Sequence, residues 1–282
     1  MHENKDSNMS TKVGFIGLGL MGQGMASNIL KAGFDTTVHD IVRKNMDPLI
    51  KLGGKPARSV YQVAKASEVV IIMARNDSQV ESIVFDEGGV LSGLLPNSTL
   101  IIMSTVSPAL IRKIAMDAQR QDATVLDAAV SGIAQVASAG ELTIMVGGDE
   151  SVLQKRRLIL EAMGNNIFYL GESGTGMVCK LLNNAIVSAS IMATDECLSA
   201  GVKTGIDLEK LLQVLTTTTA KSWTIDNWAA IAHMKSTYQP DFGPLALMHK
   251  DLALLRKIAR EEELNMPLIS TIEDAAKNLK AT

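Results

Sequence analysis

Cysteine is nearly absent from this sequence: Cys179 and Cys197 are the only two among 282 residues. They stand 18 residues apart in one helix-like stretch, about five turns at 3.6 residues per turn. That separation excludes a disulfide along the helix, and the expectation is two buried or half-buried thiols in a reducing cytoplasm. Histidine is equally sparse. Residues 2, 39, 233 and 249 are dispersed, and no pair has metal-ligand spacing, so no metal site is expected. Net charge is −3 with no basic block, which excludes a nucleic-acid binder driven by phosphate contacts. No run reaches the ~18 consecutive apolar residues of a membrane span. Aromatic residues make up only 4%. The opening MHENKDSNMS is polar and lacks an apolar signal core, so residues 1–10 read as a disordered tail.

What is present is apolar and periodic. At 46% apolar and 20% charged, the chain is globular, with enough length for one large domain or two smaller ones. Short apolar runs at 12–16, 35–39, 68–73, 99–103, 123–127, 142–146 and 166–170 predict strands. Amphipathic stretches at 21–32, 44–52, 59–66, 107–120 and 151–163 predict helices between them. Ser107 before Pro108 has the form of an N-cap followed by proline at the first helical position. This alternation predicts βαβ units and a doubly wound, mostly parallel sheet. From Gly174 the pattern changes. A stretch of some 30 residues without proline or strand signal predicts one helix, roughly 45 Å long if continuous. Helical patterns follow at 207–217, with Asp207 as N-cap, and at 222–235, 245–263 and 267–279. The expected organisation is therefore an α/β domain over 11–173 and an all-helical domain over 174–282.

Residues 13–33, VGFIGLGLMGQGMASNILKAG, place Gly17, Gly19 and Gly22 between a predicted strand and a predicted helix. That is the context of the dinucleotide-binding turn. The first glycine permits the tight turn, the second the approach of a pyrophosphate, and the third close helix–strand packing. Unpaired N–H groups at the helix start receive the anion. Gly17, Leu18, Gly19, Leu20, Met21 and Gly22 are the expected cofactor-binding residues here. The second strand ends at Asp40, 23 residues after Gly17, close to the ~20 expected of the acid that binds a ribose 2′-hydroxyl. A carboxylate there repels a 2′-phosphate and favours NAD. Arg43 is the competing signal for NADP.

GFIGLGLMGQGMASNIL resembles the opening of the β-hydroxyacid dehydrogenase family, which includes 3-hydroxyisobutyrate dehydrogenase and tartronate semialdehyde reductase. The resemblance continues in order through STVSP (104–108), DAAVSG (127–132), GELTIMVGG (140–148), GTGMVCKLLNN (174–184) and HKDL (249–252). It implies that Met73 and Ala74 lie along the cofactor, with Thr105 on its ribose side. Ser131, Gly132 and Ile133 match the segment that holds the substrate carboxylate. Lys180 matches the catalytic lysine and Asn184 a substrate-binding asparagine. Lys250 matches a residue that reaches the cofactor from the helical domain.

The residues make the same chemistry reasonable by themselves. Oxidation of an alcohol by nicotinamide needs a group to take the hydroxyl proton, and a lysine serves if burial or a nearby positive charge lowers its pKa. Lys180 lies in the apolar stretch MVCKLL, with Asn184 at i+4 on the same helix face. Asn183 either packs or helps hold the lysine. The competing structural reading has Lys180 snorkelling to the surface. His249 has either a cofactor-side or a structural role, and Trp223 either borders the substrate entrance or packs in a core.

Three departures from the family pattern stand out. Ala129 and Ile133 replace a proline and a glycine of the usual DAPVSGG. Arg75 stands where proline is common. The sequence ends at Thr282, about one helix short of the usual pattern. The expectation is a cytoplasmic NAD-dependent dehydrogenase (NADP possible) acting on a short β-hydroxy acid or its semialdehyde, assembled as a homodimer or homotetramer. No nucleic-acid or membrane partner is expected. An NADP(H)-preferring semialdehyde reductase and a non-catalytic cofactor-binding scaffold are the alternatives, and the presence of Lys180 with Asn184 argues against the scaffold.

Overall fold

The computed structural model describes residues 11–237 and 244–277; the predicted tail at 1–10 lies outside them. The chain divides into two compact units, the first ending at Lys180 and the second beginning at Leu181.

Eight strands form the sheet of the first unit: β1 Lys12–Ile16, β2 Asp35–His39, β3 Lys55–Pro56, β4 Val69–Ile72, β5 Thr99–Ile102, β6 Thr124–Ser131, β7 Thr143–Gly148 and β8 Asn166–Tyr169. Their order is β3-β2-β1-β4-β5-β6-β7-β8. Every adjacent pair is parallel except β6 and β7, which run antiparallel with Ser131 opposite Thr143. The helices of this unit are α1 Leu20–Lys31, α2 Asp47–Lys51, α3 Val60–Lys65, α4 Asp77–Phe85, α5 Val90–Gly93, α6 Pro108–Gln119, α7 Ala134–Ala139 and α8 Glu150–Glu161. Side chains alternate across a strand, so the sheet feeds two cores. Val13, Phe15, Val69 and Ile71 pack with Met25 and Ile29 of α1 on one face. Ile16, Val70, Ile72 and Ile102 pack with Val63 of α3 and Ile114 of α6 on the other. The sheet is therefore doubly wound, and its order reverses beside β1, where β2 and β4 flank it. Ligands of such sheets bind beyond the strand C-termini at this reversal.

Helix α9, Thr175–Lys203, begins in the first unit and continues into the second. By length and composition it is apolar enough to cross a membrane, with a best-window mean hydropathy of 1.3, although polar residues interrupt it throughout. Its apolar residues instead supply cores of the second unit. Leu181 and Ala185 pack with Leu252, Leu255 and Ile272, and Ile191 and Leu198 with Trp228 and Ile231. Helices α10 Leu208–Leu215, α11 Trp223–Asp226, α12 Trp228–Ser236, α13 Pro244–Glu261 and α14 Pro267–Lys277 complete the described part.

Several sequence expectations need correction. The single helix expected at 222–235 is broken at Asn227, whose backbone leaves the helical region at φ −113° and ψ 20°; its N–H and its side-chain Nδ2 both donate to the Trp223 carbonyl, at 3.0 and 2.9 Å. Cys197 is exposed rather than buried, and Cys179 is half-buried. The two-residue β3 and the short α7 carry too little periodicity to be legible. The expected N-caps Ser107 and Asp207 are in place, accepting from the N–H groups of Leu110 and Lys210.

Candidate active site

The first unit gathers Gly17, Asp40, Met73, Ala74 and Thr105 just beyond the C-termini of β1, β2, β4 and β5. The three glycines have three different reasons. Gly17 has φ +91°, and a Cβ there would lie 2.2 Å from the Met73 carbonyl oxygen. A Cβ on Gly22 would lie 2.0 Å from the Gly17 carbonyl oxygen. A Cβ on Gly19 would meet nothing within 4 Å. The fold therefore requires the outer two by close backbone contact, whereas the middle one leaves open space that a ligand can use. Gly19 is the N-cap of α1, with no side-chain capping bond and no acid in the first turn. The helix thus offers its N-terminal N–H groups and positive dipole end to an anion. This cradle fits a dinucleotide pyrophosphate. Leu18 is buried beneath the turn, Leu20 is exposed on it, and Met21 and Gly22 pack inward.

Asp40 Oδ2 accepts the Leu18 N–H at 2.6 Å, and Oδ1 accepts the Val42 N–H at 2.7 Å and Asn45 Nδ2 at 3.2 Å. The acid expected for the ribose also ties β2 to the glycine turn. A carboxylate offers about four acceptor positions, so one remains for a hydroxyl. Arg43 is exposed at the start of a short 3-10 turn. Ile41 beside Asp40 is 90% exposed, an apolar surface of the kind a flat base covers. Sequence reading missed it, although an isoleucine straight after the acid was the available signal. The Ala74 N–H donates to Ser104 Oγ at 2.6 Å, which sets the Met73–Ala74 loop against β5. Thr105 follows, half-buried.

Ser131 ends β6, and Gly132 follows at φ +144°. Ile133 is the N-cap of α7 and 51% exposed. Helix α7 docks on α1 through Asn28, whose Nδ2 donates to the carbonyls of Ala137 and Ser138 at 2.9 and 3.3 Å. Gly24 permits this approach, since a Cβ there would lie 2.8 Å from Ser138 N. Asp127, inside β6, is fully buried and accepts the N–H groups of Gly174 and Met177. Desolvation pushes its carboxyl above the ordinary value, only partly offset by those backbone bonds. Lys180, half-buried, ends this unit one turn further along α9.

In the second unit, Asn184 Nδ2 donates to Asp251 Oδ2 at 2.6 Å. Asn183 Nδ2 donates to Asn184 Oδ1 at 3.0 Å, so Asn183 orients its neighbouring asparagine. Lys250 Nζ pairs with Asp251 Oδ1 at 2.7 Å. Asp251, 4% exposed, was missed, although it stands in the HKDL motif. Trp223 is half-exposed and Trp228 buried. Among the described residues no cluster of histidine, cysteine and carboxylates is fit to hold a metal.

Comparison with known proteins decides the family. Residues 12–171 match the model of the NAD-binding domain of 6-phosphogluconate dehydrogenase, and residues 174–282 the NAD-binding domain of NADP-dependent 3-hydroxyisobutyrate dehydrogenase. A probable mitochondrial 3-hydroxyisobutyrate dehydrogenase of Dictyostelium discoideum is 38% identical over 87% of this chain and 78% of its own. The chain belongs to the β-hydroxyacid dehydrogenase family.

Another relative, an NAD-dependent L-serine dehydrogenase of Pseudomonas aeruginosa, is 35% identical over 91% of this chain and 88% of its own. The crystal structure of 3-hydroxyisobutyrate dehydrogenase from Salmonella typhimurium superposes with a TM-score of 0.85 at 28% identity, covering 95% of this chain and 94% of that one. As a β-hydroxyacid dehydrogenase, the protein is a nicotinamide-dependent oxidoreductase that moves a hydride to or from a β-hydroxy acid. The structure also places the residues read as departures from the family pattern, with Ile133 at the start of α7. Ala129 is buried in β6, and Arg75 is exposed before α4.

Proposed function

We propose that this β-hydroxyacid dehydrogenase uses NAD in preference to NADP, on a short hydroxy acid of the 3-hydroxyisobutyrate type or its semialdehyde. The open space at Gly19 above an uncapped helix N-terminus carries the cofactor reading. Asp40 carries the preference for NAD, because its remaining acceptor position suits a 2′-hydroxyl and its charge repels a 2′-phosphate. When bound, nicotinamide accepts or supplies the hydride.

The chain's own residues do the rest. Lys180 takes the proton of the substrate hydroxyl in oxidation and returns it in reduction. Ser131 and the backbone of Gly132 receive the substrate carboxylate. Asn184 contributes an amide whose orientation is set by Asp251 on one side and Asn183 on the other. Lys250, paired with Asp251, adds positive charge beside that amide.

Assembly as a homodimer or homotetramer is supported by the second unit's surface. Helix α10 reads LEKLLQVL, yet none of its eight residues is buried. Val202, Ile206, Leu208 and Val214 are 40–55% exposed, apolar side chains of the kind a second copy of the chain would cover. Light scattering coupled to size exclusion tests this, and a monomer at micromolar concentration refutes it. The catalytic reading is tested by following reduced nicotinamide over a panel of hydroxy acids with both cofactors. Lys180→Ala then lowers kcat by ~10²–10⁴ while leaving NAD affinity unchanged. Near-normal turnover in that variant overturns the assignment.

A further inference from the structure

Asp127 is a carboxylate in the middle of an apolar strand, between Leu126 and Ala128, with no exposed surface. Its partners explain it. Oδ1 accepts the Gly174 N–H at 2.7 Å and Oδ2 the Met177 N–H at 3.0 Å. Gly174 immediately precedes α9 and Met177 lies in its first turn, where backbone donors have no partner within the helix. Glycines build the cradle. A Cβ on Gly147 would lie 2.6 Å from Asp127 Oδ1, and one on Gly176 would lie 2.9 Å from Oδ2. Burial disfavours the charged carboxylate, so the acid is not an economical way to stabilise the fold. A neutral cap would do that with less desolvation.

We propose that Asp127 is a positioning residue that pins the first turn of α9 to β6 and thereby fixes where Lys180, three residues beyond Met177, presents its amine. The inference rests on Lys180 being the proton-handling group. Strand β6 runs on to Ser131, so one strand sets both the lysine-bearing turn and the start of the carboxylate-binding segment. Asp127 itself touches no reacting atom in this scheme.

The test is a double-mutant cycle on kcat with Asp127→Asn, Lys180→Ala and both together, and with NAD affinity measured in each. Asparagine keeps the size but offers a single carbonyl, and it turns an N–H₂ group toward the other backbone donor. Asp127→Asn lowers kcat by ~10- to 100-fold, the scale of a small misplacement of a catalytic group, and leaves the NAD dissociation constant unchanged. In the Lys180→Ala background the same substitution costs nothing further, because there is no amine left to position. Equal losses in both backgrounds, or no loss in the wild-type background, overturn the proposal. Lys180→Ala with wild-type turnover instead overturns the underlying assignment of the lysine. If Asp127→Asn does not fold, Asp127→Ser carries the same cycle, since a hydroxyl accepts without an opposed donor. Hydrogen exchange on the unaltered protein gives an independent check. The Gly174 and Met177 amides exchange as slowly as the centre of β6, and exchange at the rate of an open first turn refutes the pinning.

Discussion

The glycine turn permits a test that separates what the fold needs from what the ligand needs. Gly17→Ala forces a side chain onto φ +91° and places Cβ 2.2 Å from the Met73 carbonyl oxygen. The conformational strain alone is about 1–2 kcal/mol, and the overlap with backbone adds to it. At roughly 2–4 °C per kcal/mol for a domain of this size, Tm falls by at least about 2–8 °C. Gly22→Ala behaves similarly, because its Cβ meets the Gly17 carbonyl oxygen at 2.0 Å. Gly19→Ala is different. Its backbone is extended at φ −69° and ψ −165°, and no atom lies within 4 Å of the added methyl. The lost N-cap preference and the gain from a stiffer unfolded chain are of similar size, so stability changes by less than about 0.5 kcal/mol. The methyl nevertheless occupies the space a pyrophosphate needs. Loss of one charge-assisted hydrogen bond, about 1.5–3 kcal/mol, raises the NAD dissociation constant by ~10- to 150-fold. Thermal unfolding without cofactor and calorimetric titration with NAD measure the two effects. A Gly19→Ala protein that binds NAD like the wild type, or that loses as much Tm as Gly17→Ala, refutes the reasoning.

Asp40→Ser raises kcat/KM with NADP relative to NAD, and a wild type that already prefers NADP tenfold would show that Arg43 dominates; because Asp40 also ties the turn together, both cofactors lose some affinity. Ile133→Gly improves kcat/KM for compact, polar hydroxy acids relative to the wild type's preferred substrate, since methylene-sized contacts discriminate by ~1–3 kcal/mol; an unchanged rank order across a substrate panel rejects a selectivity role for Ile133. Asp127 also marks the pH dependence of stability. Its folded pKa lies above the ordinary 3.8, so the folded state binds the proton more tightly between those two values. That contribution is complete below 3.8 and is lost as pH rises through the raised value. The stability of the wild type relative to Asp127→Asn therefore declines across that window in denaturant titrations, and a difference that stays flat or grows contradicts the desolvation argument.

What the sequence determined by itself is local. Strand and helix periodicity, the N-caps at Ser107 and Asp207, and the spacing from Gly17 to Asp40 all arise within a few turns or one βα unit, where sterics and alternation act directly. Lys180 and Asn184 stand on one helix face for the same local reason, four residues apart in an apolar stretch, while the roles given to them come from the family resemblance. The direction of β7 was decided only by the tertiary structure, because a six-residue α7 gives no local sign of an antiparallel return. The orientation of the site residues was decided there too. Asp127 meets Met177 across 50 positions, Asn184 meets Asp251 across 67, and Asn28 meets Ala137 across 109. Each pair is made by topology, which brings distant segments to one strand, one helix pair or one end of a sheet. An acid in an apolar strand shows in the sequence that it must have a buried partner; only the fold shows that the partner is the first turn of the helix leading to Lys180.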